Sequence, residues 1–111
     1  MRYVLLICDD ESVSPGNEEL LADPVHQAWK ADLDGRGAEV FGARLRPVVD
    51  ATTVRVRKGE TLVSDGPFAE TKDFVAGFVV LDCADLDEAI AIAAGHPYAR
   101  WGSVEIRPVW E

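Results

Sequence analysis

Apolar residues recur along this chain in two rhythms, and each rhythm names an element. Residues 2–8, RYVLLIC, are apolar at both parities: Tyr3, Leu5 and Ile7 on one side, Val4, Leu6 and Cys8 on the other. A strand of that kind is central and covered on both faces. Residues 74–83, FVAGFVVLDC, repeat the pattern. Residues 52–64, TTVRVRKGETLVS, instead alternate Val54 and Val56 with Arg55 and Arg57, turn at Lys58-Gly59-Glu60 and return through Leu62 and Val63. That spacing predicts a hairpin with one wet face. Two further strands are expected: residues 39–45, blunted by Pro47, and residues 102–110, with Val104 and Ile106 inward and Ser103, Glu105 and Arg107 opposite.

The helical rhythm appears twice. Residues 18–34 place Leu21, Val25, Ala28, Trp29 and Leu33 on one face at 100° per residue. Asp23-Pro24 interrupts them in the manner of an N-cap followed by a first-turn proline, and Gly35 and Gly37 end the run. Residues 84–97 form the second helix, with Asp85 as N-cap, Glu88 at capping-box distance and Gly95 and Pro97 as stops. Asp32 falls within the apolar stripe of the first helix, where Arg36, one turn on, is its natural partner.

The resulting order is a ferredoxin-like βαββαβ antiparallel sheet with an inserted β-hairpin, one α+β domain over residues 1–111. Two helices cover one face of the sheet. The doubly apolar strands leave a second apolar face, which a second copy would cover, so the expected assembly is a homodimer closed as a dimeric α+β barrel. The first and third main strands are expected to run parallel as neighbours, bringing Cys8 and Cys83 to one end of the sheet. Both are expected to be free thiols in a reducing compartment.

Composition narrows the partners. The formal net charge of −9 repels phosphate backbones and anionic lipid, which argues against nucleic acid and membrane surfaces. The six-residue apolar run of residues 3–8 is too short for a signal peptide or a membrane span, so a cytoplasmic location is expected. The two cysteines have no metal-ligand spacing, and no phosphate loop, dinucleotide fingerprint, HExxH or GxSxG occurs. No cofactor is expected.

Candidate chemistry centres on SDGPFAETKD, residues 64–73. Asp65 reads as an Asx-turn residue or as a general base or histidine-orienting carboxylate. Gly66 and Pro67 set the backbone. Phe68 reads as a loop anchor or as a ligand-stacking ring, and Lys72 as one of a solvated charge cluster or as a cation facing a cleft. His26 sits near a helix N-terminus, where the dipole favours the neutral base, while His96 in GHP reads as a turn residue. Arg44, Glu105 and Arg107 are expected on the sheet face away from the helices, either as an ion-pair lattice at the dimer interface or as a clamp for a substrate carboxylate.

DGPFAETKD, with GFVVLD, LDEAIAIAA, VEIRPV, the opening RYVLLI and the approach TTVRVRKGETLVSDGPF, resembles the DGPF-domain branch of the YCII-related family over nearly the whole chain. Asp73 stands where that branch usually has Glu. The resemblance implies a bacterial, cytosolic, dimeric α+β barrel. Most of its members have no established function, and some are encoded beside extracytoplasmic sigma factors, which implies a link to stress or sigma-factor regulation. One branch contains a lyase acting on a chlorinated muconate-type acid, and a histidine-aspartate pair in a cleft has been proposed as the family site. Two functions follow as expectations. One is a small-molecule-binding dimer. The other is a cofactor-free lyase or isomerase that moves protons on a small organic acid, with His26 as base, Asp65 as its orienter and an arginine on the carboxylate.

Overall fold

The computed structural model describes residues 1–67 and 73–111. Among the described residues six strands and four α-helices follow in the order β1 (Arg2–Asp9), α1 (Asn17–Ala22), α2 (Pro24–Arg36), β2 (Glu39–Arg44), β3 (Thr52–Arg57), β4 (Glu60–Asp65), β5 (Phe74–Asp82), α3 (Leu86–Ala94), α4 (Tyr98–Trp101) and β6 (Ser103–Pro108). β2, β5, β1 and β6 lie side by side in that order, and each neighbouring pair is antiparallel. This is the expected ferredoxin-like α+β topology, with the β3–β4 hairpin as a separate two-stranded sheet.

The buried parity of the central strands explains where the helices sit. Tyr3, Leu5 and Ile7 of β1 and Val79 and Leu81 of β5 share one core with Trp29 and Leu33 of α2, Ile92 of α3 and Tyr98 of α4. Val4, Leu6, Phe78 and Val80 occupy the other parity and are only half-buried. Trp29 also donates its indole N–H to the Ile92 carbonyl at 2.7 Å, tying α2 to α3 across the core.

The break in the first helical segment is real and shifts its phase. Asp23 accepts from the Val25 amide at 2.8 Å, Pro24 takes the first position of α2, and Gly37 closes it in the left-handed region at φ 64°. Because α1 and α2 are separate helices, one wheel cannot run through both. Leu20 is therefore buried and Leu21 exposed, the reverse of the continuous reading. Asp32 pairs with Arg36 at 2.9 Å, and Arg36 reaches Glu88 of α3 at 3.2 Å.

Three expectations are corrected. β1 and β5 run antiparallel, with Arg2 opposite Asp82 and Cys8 opposite Val75, so Cys8 and Cys83 stand at opposite ends of the sheet. Both thiols are free. The hairpin turns at Lys58 and Gly59, both at positive φ, as a two-residue connection demands. It is nevertheless wet on both faces: Val54, Val56, Leu62 and Val63 are all exposed. Finally, a bulge between Glu39 and Phe41 reverses the parity of β2. Arg44, opposite Gly77, thereby joins Glu39 and Gly42 on the helix-covered face, while Glu105 and Arg107, opposite Leu6 and Val4, remain on the uncovered one.

Candidate functional site

A cavity of about 300 Å³ opens between α1, α2 and the β2–β5 edge of the sheet. Small residues make room for it. Gly42, Ala76 and Gly77 form its floor, and a Cβ on Gly42 would come within 2.9 Å of the Glu39 carboxylate, and one on Gly77 within 2.9 Å of the Ala43 carbonyl. The walls are aromatic: Trp29, His26, His96 and Tyr98. Arg44 stands exposed at the mouth and also lines a second hollow of about 590 Å³ beside it, with Asn17 and Ala76 common to both.

Local structure fixes each wall. The Asp23 cap and Pro24 set the start of α2, so His26 and Trp29, three residues apart, project from one side of the helix. Gly95 stops α3, and the next residue, His96, turns its ring inward. Its Nδ1 accepts the Tyr98 amide at 3.1 Å and so caps the first turn of α4. The His96 ring meets Trp29 at 4.7 Å, Tyr98 at 5.4 Å and His26 at 5.6 Å, each close to edge-on.

The electrostatics single out one cation. Lys30 is hydrogen-bonded to Glu39 and lies 3.6 Å from Asp34, so its charge is answered within the wall, and its pKa is raised chiefly by the Glu39 bond. Arg44 instead donates to neutral oxygens: Asn17 Oδ1 at 3.2 Å, the Pro15 carbonyl at 2.7 Å and Tyr98 Oη at 3.2 Å. Among the described residues it has no carboxylate partner. Burial pushes the His96 pKa down to about 4, with His26 adding to the shift. His26 is lowered as well, first by burial, then by Lys30 and Arg44 against an opposing pull from Asp23. Both imidazoles are therefore neutral at pH 7, and the Arg44 guanidinium faces a hollow in whose wall Lys30 and Glu39 answer each other's charge.

Of the residues marked in the sequence, the structure brings His26 and Arg44 to this cavity. Asp65 ends β4 opposite Thr52, is exposed and does not line the cavity. Among the described residues its side chain caps no amide. Gly66, at φ 93°, donates to the Ala51 carbonyl at 2.8 Å, and its own carbonyl accepts from Thr53 Oγ1 at 2.8 Å. Arg107 sits on the opposite sheet face, 3.9 Å from Glu105, so it and Arg44 cannot form one clamp within a single chain. Phe68 and Lys72 lie outside the described residues. His96, which the sequence marks as a turn residue, and Tyr98 form two of the four aromatic walls. Their one sequence signal is the GHPY stop itself, where an imidazole and a phenol are packed into a helix-to-helix corner. Among the described residues no group of three or more His, Cys, Asp or Glu could hold a metal ion, and no helix is long and apolar enough to cross a membrane.

The profile of the YCII-related domain matches residues 1–111. The chain belongs to the YCII-related domain family. It is also 40% identical over 116 residues to a protein of Rhizobium meliloti (strain 1021) described only as uncharacterized, an alignment that covers 98% of this chain and 92% of that one.

Proposed function

We propose that this YCII-related protein binds a small organic acid in the helix-side cavity, with the apolar body against Trp29 and the two histidines and the carboxylate on Arg44. The observation that carries this reading is the Arg44 guanidinium, without a carboxylate partner among the described residues, at the mouth of an aromatic hollow whose Lys30 and Glu39 are paired with each other. Its volume lies at the lower end of the range for small-molecule sites. Three of the five Arg44 N–H groups hold Pro15, Tyr98 and Asn17, and a remaining one can give a carboxylate a charge-assisted bond, roughly twice as strong as a neutral one.

Phenylacetate is a suitable probe, with phenylacetamide as its uncharged isostere. Calorimetry should show phenylacetate binding to the native protein, with the Trp29 indole N–H shifting in NMR spectra. Arg44→Gln should weaken that binding by roughly 10-fold to 100-fold, the loss expected when one partner of a charge-assisted bond is removed. Phenylacetamide should bind the native protein about as weakly as phenylacetate binds the variant. Equal affinity of native protein and variant for phenylacetate would end this assignment.

The same reading includes a second copy of the chain on the sheet's uncovered face. Val4, Leu6, Phe78 and Val80 are there only half-buried, and Phe41, whose ring lies 5.8 Å from that of Phe78, is 59% exposed. An apolar sheet face of this extent is normally covered. Sedimentation at micromolar concentration should give a dimer, and Phe78→Glu should give a monomer. A native protein that sediments as a monomer would remove the barrel from the proposal.

A further inference from the structure

Behind Arg44 runs a line of hydroxyls that ends on a buried carboxylate. Asp9, at the end of β1, is 0% exposed, and among the described residues its Oδ1 has no hydrogen-bond partner. Its Oδ2 accepts from Ser14 Oγ. Ser14 Oγ lies 3.3 Å from Tyr98 Oη, and Arg44 Nη2 donates to that same phenolic oxygen at 3.2 Å. Tyr98 is 1% exposed to bulk solvent yet lines the cavity.

The direction of the protons follows from counting donors. A serine hydroxyl has one hydrogen, and here it points to Asp9. At the contact between Ser14 and Tyr98 the phenol must therefore be the donor. An arginine only donates, so Tyr98 Oη is its acceptor. The chain reads Arg44 to Tyr98 to Ser14 to Asp9, every hydrogen pointing inward, and Tyr98 Oη keeps one lone pair beyond the one that accepts from Arg44. Among the described residues Asp9 has one donor and one bare oxygen, which leaves it underpaired for a fully buried carboxylate, and such atoms in native proteins call for an explanation.

We propose that Tyr98 is the acid–base group of this cavity and that Ser14 and Asp9 take up and return its proton. The proposal rests on the cavity holding a small carboxylic acid, and it specifies that acid as one with a C–H bond beside a carbonyl. In the forward step the carbon gives its proton to Tyr98 Oη, the phenolic proton passes to Ser14 Oγ, and the Ser14 proton passes to Asp9 Oδ2. The C–H electron pair stays on the ligand as an enolate, whose charge Arg44 faces. Reversal returns a proton to the same carbon, or to another carbon of the enolate system, giving exchange or isomerisation. No electrons leave the ligand, so the step needs no oxidant, reductant or second substrate. Tyr98 is the residue that touches the ligand. Ser14 and Asp9 act through it.

Phenylpyruvate is the probe, because it carries a carboxylate for Arg44, a phenyl for Trp29 and an acidic methylene. In D2O the native protein should bind it by calorimetry and speed deuterium uptake at the methylene above the buffer rate, followed by proton NMR. Tyr98→Phe should abolish the acceleration. Asp9→Asn, which touches no ligand, should leave the Kd within about threefold and lower kcat for exchange by roughly 100-fold or more, the low end of what a positioned acid–base group contributes. Ser14→Ala should lower kcat in the same way, and Ser14→Thr, which restores the hydroxyl, should recover it. Should Asp9→Asn fail to fold, the serine pair still decides the matter. Native protein that binds phenylpyruvate without accelerating exchange would overturn the relay and leave the binding reading standing. Exchange unchanged in Ser14→Ala would overturn it too. Native protein that binds neither phenylacetate nor phenylpyruvate would remove the binding reading and the relay with it.

Discussion

Gly102→Ala is expected to destabilise the protein by about 3 kcal/mol, at the upper end of the overpacking range. Gly102 joins α4 to β6, and a Cβ built there would lie 2.2 Å from the Cys8 carbonyl oxygen and 3.3 Å from both the Cys8 carbonyl carbon and the Tyr98 carbonyl oxygen. All three are backbone atoms, so no rotamer change relieves the clash. The Gly102 amide also donates to the Tyr98 carbonyl at 2.8 Å, and the next residue, Ser103, pairs with Cys8. Moving this residue outward means peeling the start of β6 from β1 or opening the last turn of α4. Gly35→Ala is the control. Gly35 lies near the end of α2 with nothing within 4 Å of its Cβ, and alanine there should stabilise by about 0.5–1 kcal/mol. Urea unfolding of both variants checks the contrast. A loss below about 1 kcal/mol in Gly102→Ala would mean that β6 yields at that point.

The second large effect is acid lability centred on His96. Its folded-state pKa of about 4 lies below the ordinary 6.5 because the neutral ring is buried among Trp29, Tyr98 and His26. Its Nδ1 also accepts the Tyr98 amide, a bond that protonation at that nitrogen removes. Between pH 6.5 and about 4 the unfolded chain binds a proton at this residue and the folded chain does not. Stability therefore falls as pH drops through this window. The contribution is full above pH 6.5 and gone below about pH 4, and it amounts to at most about 3 kcal/mol. His96→Gln removes the titration, so its stability should change less than that of the native protein between pH 7 and pH 4. NMR titration of the ring gives the folded-state value directly. A ring that titrates near 6.5 in the folded protein would overturn the prediction. Because α4 and the aromatic walls depend on the neutral ring, any ligand of the cavity should be released only as the folded ring itself protonates, near pH 4.

Several features of this molecule were already fixed by local chemistry. The double parity of residues 2–8 and 74–83, the Asp23-Pro24 break, the Asp85 cap and the Lys58-Gly59 turn depend on near neighbours. They appear in the structure as β1, β5, the α1–α2 boundary, the start of α3, where Asp85 accepts the Glu88 amide at 2.9 Å, and the β3–β4 turn. Strand order followed as well, because two crossover units in sequence leave few ways to arrange an antiparallel sheet. The resemblance carried by DGPFAETKD supplied the family, which the profile over residues 1–111 shows.

What the sequence could not carry was parity after an irregularity, and contact between distant segments. One bulged residue in β2 decides that Arg44 faces the helices, on the opposite side of the sheet from Arg107, and strict alternation contains no sign of it. The antiparallel run of β5 against β1 separates Cys8 from Cys83 by the length of the sheet, a matter of chain direction that neither strand's composition encodes. The cavity itself joins residues from α1, α2, β2, β5 and the α3–α4 corner. His96 looked like a helix stop because its neighbours in sequence are Gly95 and Pro97. Its neighbours in space are Trp29, His26 and Tyr98, and only packing places an imidazole there with its charge suppressed. Asp9 shows the same division most plainly. In sequence it is one of two aspartates opening a polar loop, but the even spacing of β1 carries the buried parity of Tyr3, Leu5 and Ile7 one step further and takes its carboxylate into the core. Local rules set the elements because their interactions are local. The groups that face one another across the cavity were set by the sheet, the bulge and the helix corner together.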